Sequence, residues 1–200
     1  MKQAATRTGP EKTRRTRTRR SASRFIHLPT RPVPVPVPPP VLAPDFEAKI
    51  VAPEGLPAAL AALPRPLVFT NGCFDILHRG HVTLLAQARA LGASMIVALN
   101  SDASIRRLGK GDDRPVNTLA DRLAVIAALE SVSLVTWFEE DTPIERILEC
   151  RPDVLVKGGD WPTEKIVGHT EVAAWGGRTV SISFIHQKST TALLEKIRRL

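Results

Sequence analysis

The chain sets two histidines, His78 and His81, on either side of Gly80, at the end of the run Thr70-Asn71-Gly72-Cys73-Phe74-Asp75-Ile76-Leu77-His78-Arg79-Gly80-His81. Ahead of them, the apolar stretch Leu67-Val68-Phe69 reads as a buried parallel strand closed by Asn-Gly. Behind them, Val82–Leu91 has helical spacing, with Leu84, Leu85, Ala88 and Leu91 on one face and Gly92 placed as a terminator. Both imidazoles therefore fall where a strand hands over to a helix N-terminus. Free N–H groups and the positive end of the helix dipole point outward there, which suits phosphate. Two imidazoles beside such a cradle make a place for a phosphoryl group in transit.

Further candidates also follow apolar runs. Asn100-Ser101-Asp102 is succeeded by the glycine-containing loop Gly109–Asn117, whose Lys110 is placed to reach a phosphate. Lys157-Gly158-Gly159-Asp160-Trp161 offers close backbone approach at its glycines, while Asp160 and Trp161 are placed to frame a base or ribose. Ser189-Thr190-Thr191 opens the last helix and makes a second phosphate site. Arg122 is a candidate phosphate contact on the helix after the loop. His169 and His186 have no motif partner, and Cys73 reads as a small packing residue.

Three phosphate-friendly turns and two histidines suggest a nucleoside triphosphate gripped along its chain. The expected reaction is nucleotidyl transfer: an acceptor phosphate oxygen attacks the α-phosphorus in line and pyrophosphate leaves. Such an acceptor is already ionised at neutral pH, so the task is placement and charge neutralisation. His78, His81 and Lys110 are the expected catalytic groups, with Ser189 and Thr190 on the β- and γ-phosphates. Mg²⁺ is the expected cofactor, carried by the triphosphate and by water, with no metal-ligating residues assigned.

These residues need elements to position them. From Leu67 onward, β-like runs at Leu67–Thr70, Met95–Asn100, Leu134–Phe138, Val154–Lys157 and Thr179–Phe184 alternate with helical stretches at Val82–Leu91, Leu119–Leu129, Ile144–Glu149 and Thr191–Leu200. This alternation predicts an α/β fold, a parallel sheet with helices on both faces and its ligand at the strands' carboxyl ends. Thr118 with Asp121 reads as a capping arrangement, and Thr142-Pro143 as an N-cap followed by a first-turn proline.

The chain has 200 residues and a hydrophobic content of 43%, enough for one domain with a proper core and an appendage. Its net charge of +8 is uneven, since residues 1–40 carry ten basic side chains and a single acid, Glu11. The rest is close to neutral, so the folded part gives no support to a nucleic-acid-binding surface. Residues 1–45 are expected to be a disordered basic and Pro-rich tail, 46–66 a weakly helical lead-in, and 67–200 the catalytic domain. A nucleic-acid-binding protein working through the tail is the reading from another class. No apolar run approaches the roughly 20 residues of a membrane span, and no apolar stretch of the secretory kind follows the charged N-terminus. Two cysteines without metal-ligand spacing fit a cytoplasmic setting.

The His78-Arg79-Gly80-His81 pattern with its lead-in resembles the signature of the nucleotidyltransferase superfamily, which includes the cytidylyltransferases. Asn100-Ser101-Asp102, Arg114-Pro115-Val116-Asn117, Asp121-Arg122, Phe138–Pro143, Asp153–Asp160 and Ser189-Thr190-Thr191 follow in order. Together they resemble the adenylyltransferase domain of the ADP-heptose pathway, over about residues 67–200. That resemblance implies a Rossmann-like fold, ATP and D-glycero-β-D-manno-heptose 1-phosphate as partners, and a homodimer. No kinase domain fits in the 66 residues ahead of Leu67, so a stand-alone transferase is expected. Expected nucleotide contacts are Asn71, Gly72, Phe74, Asp75, Gly80, Arg122, Lys157, Gly159, Asp160, Trp161, Ser189 and Thr190. Glycerol-3-phosphate cytidylyltransferases, similar through Gly159-Asp160-Trp161, are the alternative.

Overall fold

A computed structural model describes residues 45–109, 111, 113–186 and 188–200. The basic and Pro-rich segment, residues 1–44, lies outside the described residues.

Five short Val-, Ile- and Leu-rich segments form one parallel sheet because both of its faces are covered. They are β1 (Leu67–Gly72), β2 (Ser94–Asn100), β3 (Leu134–Phe138), β4 (Val154–Gly158) and β5 (Arg178–Ile182), in the order β3-β2-β1-β4-β5. Seven α-helices join them among the described residues: α1 (Leu56–Leu60), α2 (Arg79–Arg89), α3 (Asp102–Arg107), α4 (Leu119–Ala127), α5 (Ile144–Cys150), α6 (His169–Ala174) and α7 (Thr190–Ile197). Strand alternation sorts the core into two layers. Val68, Met95 and Val97 pack with Leu85 and Ala88 of α2 and with Leu123 and Ile126 of α4. Leu67, Phe69 and Ile96 pack with Leu56 of α1, Ile147 of α5 and Val172 of α6. The strand order reverses at β1, between β2 and β4, and the β1–α2 turn carries His78 and His81. A sheet of this Rossmann-like kind opens its crevice there.

Several local expectations shift. The helix after β1 begins at Arg79, and its C-cap is Ala90 in the right-handed region, so Gly92 is no left-handed terminator. A Cβ on Gly92 would lie 2.4 Å from the Pro66 carbonyl oxygen, and that close approach is what requires glycine. Pro143 is itself the N-cap of α5, in place of Thr142. Thr118 caps α4 as expected, accepting from the Asp121 N–H. The helix α6 was not apparent in the sequence: six residues behind Gly168, whose φ is +89°, give too short a run for periodicity.

The lead-in belongs to the same compact unit as the sheet, Leu42–Leu200. Ile50 bridges to Val135 beside β3, the Val51 N–H donates to the Val135 carbonyl at 2.9 Å, and Leu56 is fully buried.

Candidate active site

At the β1–α2 turn, His78 is the N-cap of α2 in extended conformation, which frees the chain to place its ring beside that of His81. The rings stack, with centroids 3.7 Å apart and planes 17° apart, and Phe74 meets His81 edge-on at 5.1 Å. Gly80 makes this possible: a Cβ there would sit 3.1 Å from the His78 ring and 3.1 Å from the His186 carbonyl oxygen. Nδ1 of each histidine is buried without a hydrogen-bond partner among the described residues. Burial, with the charge of His78 second, pushes the His81 imidazole down to about 4. Burial also lowers His78, against a smaller opposing effect of its own backbone. Both rings are therefore neutral at pH 7.

The rings open into a hollow of about 410 Å³ that also receives Cys73, Phe74, Asp75, Arg114, Phe184, Lys188, Ser189, Thr190 and Thr191. Ser189 caps α7, its hydroxyl accepting from the Ala192 N–H at 3.1 Å, and so holds the helix's positive end toward the histidines' hollow. Phe184 and Lys188 were not among the expected site residues. Lys188 was legible in principle, as a cation directly ahead of a Ser-Thr-Thr helix start. Phe184 enters because β5 stops at Ile182 and not at the expected Phe184.

Two expected nucleotide contacts, Asp75 and Arg122, also hold partners within the protein. Asp75 is buried, and its carboxylate accepts from Arg114 Nε at 2.5 Å, from the Val116 N–H at 2.9 Å and from the Asn117 N–H at 2.9 Å. Burial alone would raise its pKa, but the Asn117 and Val116 N–H groups and the Arg114 guanidinium together hold it below the usual carboxylate value. Arg122 has a fully buried guanidinium that donates to the Cys73 carbonyl at 2.7 Å, to Asp102 at 2.7 Å and to the Asn117 carbonyl at 3.2 Å. Both residues fasten the segment Arg114–Asn117 and helix α4 to the histidine turn. Lys110, on that loop, lies outside the described residues.

At the end of β4, Gly159 adopts φ +110°, a left-handed geometry that favours glycine. A Cβ there would meet Trp161 Nε1 at 2.9 Å. Asp160 accepts from the Ser183 hydroxyl and lines a hollow of about 340 Å³ with Phe184, Lys188 and Ser189, which continues the histidine hollow. Lys157 and Trp161 lie elsewhere. They line a hollow of about 240 Å³ with Asn71 and Lys165, and Lys157 donates to Asn71 Oδ1 at 3.4 Å. Asn71, Gly72 and Lys157 also line an adjoining hollow of about 320 Å³ with Asp141 and Thr142. The tip of β1 thus divides the crevice, with the imidazoles on one side and Asn71, Lys157 and Trp161 on the other.

Comparison with known proteins agrees with this architecture. The D-beta-D-heptose 1-phosphate adenylyltransferase of Bordetella bronchiseptica is 59% identical over 156 residues, covering 77% of this chain and 96% of that protein. The bifunctional protein HldE of Hahella chejuensis is 56% identical over 134 residues, 66% of this chain but 28% of its own length. Among solved structures, the lipopolysaccharide core biosynthesis protein of Thermoplasma volcanium GSS1 aligns with a TM-score of 0.51 and 25% identity over 61% of this chain and 98% of that one. The cytidylyltransferase-like family model matches residues 69–190, from the end of the apolar run in β1 to the first residue of α7. It spans the histidine turn, the Arg114–Asn117 segment and the Ser189-Thr190 cap, and the chain belongs to the cytidylyltransferase-like family.

Proposed function

We propose that this protein transfers the adenylyl group of ATP to D-glycero-β-D-manno-heptose 1-phosphate, giving ADP-heptose and pyrophosphate. The observation that carries the reaction type is the stacked pair His78 and His81 opening into one hollow with the N-terminus of α7. The choice of substrates is supported by the 59% identity to a D-beta-D-heptose 1-phosphate adenylyltransferase over 96% of that protein's length.

An oxygen of the acceptor phosphate forms the new bond to the α-phosphorus, and the bond from that phosphorus to the α–β bridging oxygen breaks. The electron pair leaves with pyrophosphate, so no proton has to be removed from the nucleophile. Imidazole N–H groups of His78 and His81 hydrogen-bond the oxygens on which charge accumulates. Ser189, Thr190 and the positive end of α7 take the β- and γ-phosphates, with Lys188 alongside. Lys110 meets the pyrophosphate side. The nucleoside extends into the adjoining hollow, with Asp160 toward the ribose and Phe184 as a wall. Magnesium enters as part of the substrate, MgATP. The same reading puts the enzyme in the cytoplasm, where ATP is available, as a homodimer; light scattering on the eluted full-length protein tests the dimer.

The deciding measurement is pyrophosphate release from ATP, CTP, GTP and UTP, each with heptose 1-phosphate and with glycerol 3-phosphate. ATP with the heptose is the expected pair. Preference for CTP with glycerol 3-phosphate would replace it with a glycerol-3-phosphate-type cytidylyltransferase.

A further inference from the structure

We propose that the hollow on the far side of the β1 tip is the acceptor site for a sugar phosphate, in which Lys157 takes the phosphate, Lys165 takes a hydroxyl of the sugar and Trp161 forms the wall for its ring. This rests on the nucleotidyl-transfer reading above and reassigns Lys157 and Trp161 from the nucleotide to the acceptor.

In-line displacement puts the entering and leaving oxygens on opposite sides of the α-phosphorus. Pyrophosphate leaves toward Ser189 and Thr190, and the nucleoside has its own space beside Asp160 and Phe184. The acceptor must arrive from the remaining direction, past Cys73, which is the residue shared by the histidine hollow and the hollow beyond the β1 tip. There the crevice has two lobes of about 320 and 240 Å³ that share Asn71, Pro143, Lys157 and Val167. Pockets of this combined size suit a small polar ligand.

The lining chemistry is that of a phosphorylated sugar. Lys157 lines both lobes and serves the phosphate where the crevice nears Cys73, while Lys165, Asn71, Asp141 and Thr142 offer partners to ring hydroxyls. Trp161 is 53% exposed and lines this lobe, so the face of its indole is open to a ligand there. Lys165, which sequence reasoning did not single out, closes the short 3-10 turn Thr163–Lys165 and is exposed. Its removal leaves the core intact.

Two measurements on the full-length protein test this. In steady-state kinetics, Lys165→Ala is expected to raise KM for heptose 1-phosphate about tenfold or more, the loss of one charged hydrogen bond, with KM for ATP within about twofold of wild type. Trp161→Ala is expected to do the same, and Trp161→Phe to restore most of the loss. An acceptor KM unmoved in both alanine variants, or an ATP KM rising in step with it, overturns the assignment. The second measurement needs no turnover. Heptose 1-phosphate titrated into enzyme saturated with a non-cleavable ATP analogue is expected to change tryptophan fluorescence, and the change is expected to vanish in Trp161→Phe. The same signal in Trp161→Phe, or no signal in the wild type, overturns it. A wild type that binds the heptose in this titration but fails to turn it over counts against the proposed reaction and leaves the acceptor site standing.

Discussion

Stacked 3.7 Å apart and both depressed in pKa, His78 and His81 are neutral at pH 7, and each still has a ring N–H to offer an incoming anion. Their unpartnered Nδ1 atoms mean that burial has been tolerated without a compensating bond, which a structural histidine rarely accepts. Replacing either by alanine removes one donor to the developing charge. The expected result is a fall in kcat on the order of 10²–10³ with little change in melting temperature. A kcat equal to that of wild type in both variants would remove them from the mechanism. The pKa shifts have a second consequence. An unfolded histidine takes up its proton near 6.5, whereas folded His81 waits until about 4. The unfolded state binds more protons between those values, so His81 contributes stability above 6.5 that is lost progressively as pH falls toward 4. Urea midpoints measured from pH 7.5 to 4 should therefore decline less steeply in His81→Ala than in wild type. Saturating ATP should also flatten the decline, because phosphate favours the protonated rings.

At the scale of elements, the histidine turn is held by contacts far apart in sequence. The buried pair of Asp75 and Arg114, with side chains 0% and 6% exposed, joins the β1–α2 turn to the segment before α4. Asp75→Asn leaves Arg114 buried and unpaired, at an expected cost of about 3 kcal/mol in urea denaturation. Glu195→Gln breaks an exposed pair with Arg199 on α7 and should cost less than about 0.5 kcal/mol. A small effect at Asp75 would show that its three contacts are not what fixes the turn. These two pairs also mark where sequence reading succeeds and stops. The five strands were legible because apolar runs bounded by turn residues report burial on both faces, and β3 was placed to the residue. The histidine motif and the α7 cap were legible because each is local. The internal partners of Asp75 and Arg122 were not legible, because nothing local in the sequence marks a carbonyl 49 residues away, as Cys73 is for Arg122. The docking of Leu56 and the small helix α6 escaped for the same reason, since each depends on tertiary contacts that no short window contains.

For the whole molecule, the question is whether the strongly basic first 40 residues take part in what the crevice does. The strand tip, the histidine turn, the α7 cap and both halves of the crevice all lie between Asn71 and Thr191, within the compact unit. A heptose 1-phosphate adenylyltransferase is matched over 96% of its own length by 156 residues of this chain, which leaves no counterpart there for a long appendage. Electrostatic attraction from ten basic side chains acts over about 8 Å at physiological ionic strength and would draw an anionic substrate only at low salt. Removing residues 1–44 is therefore expected to leave kcat/KM for ATP and for the heptose within about twofold at 0.15 M salt. At 0.01 M salt, where the screening length grows to about 30 Å, a modest loss of kcat/KM is expected without change in kcat. A collapse of kcat at both salt concentrations would mean that the tail completes the active site, and the crevice beside β1 would then be only part of the enzyme.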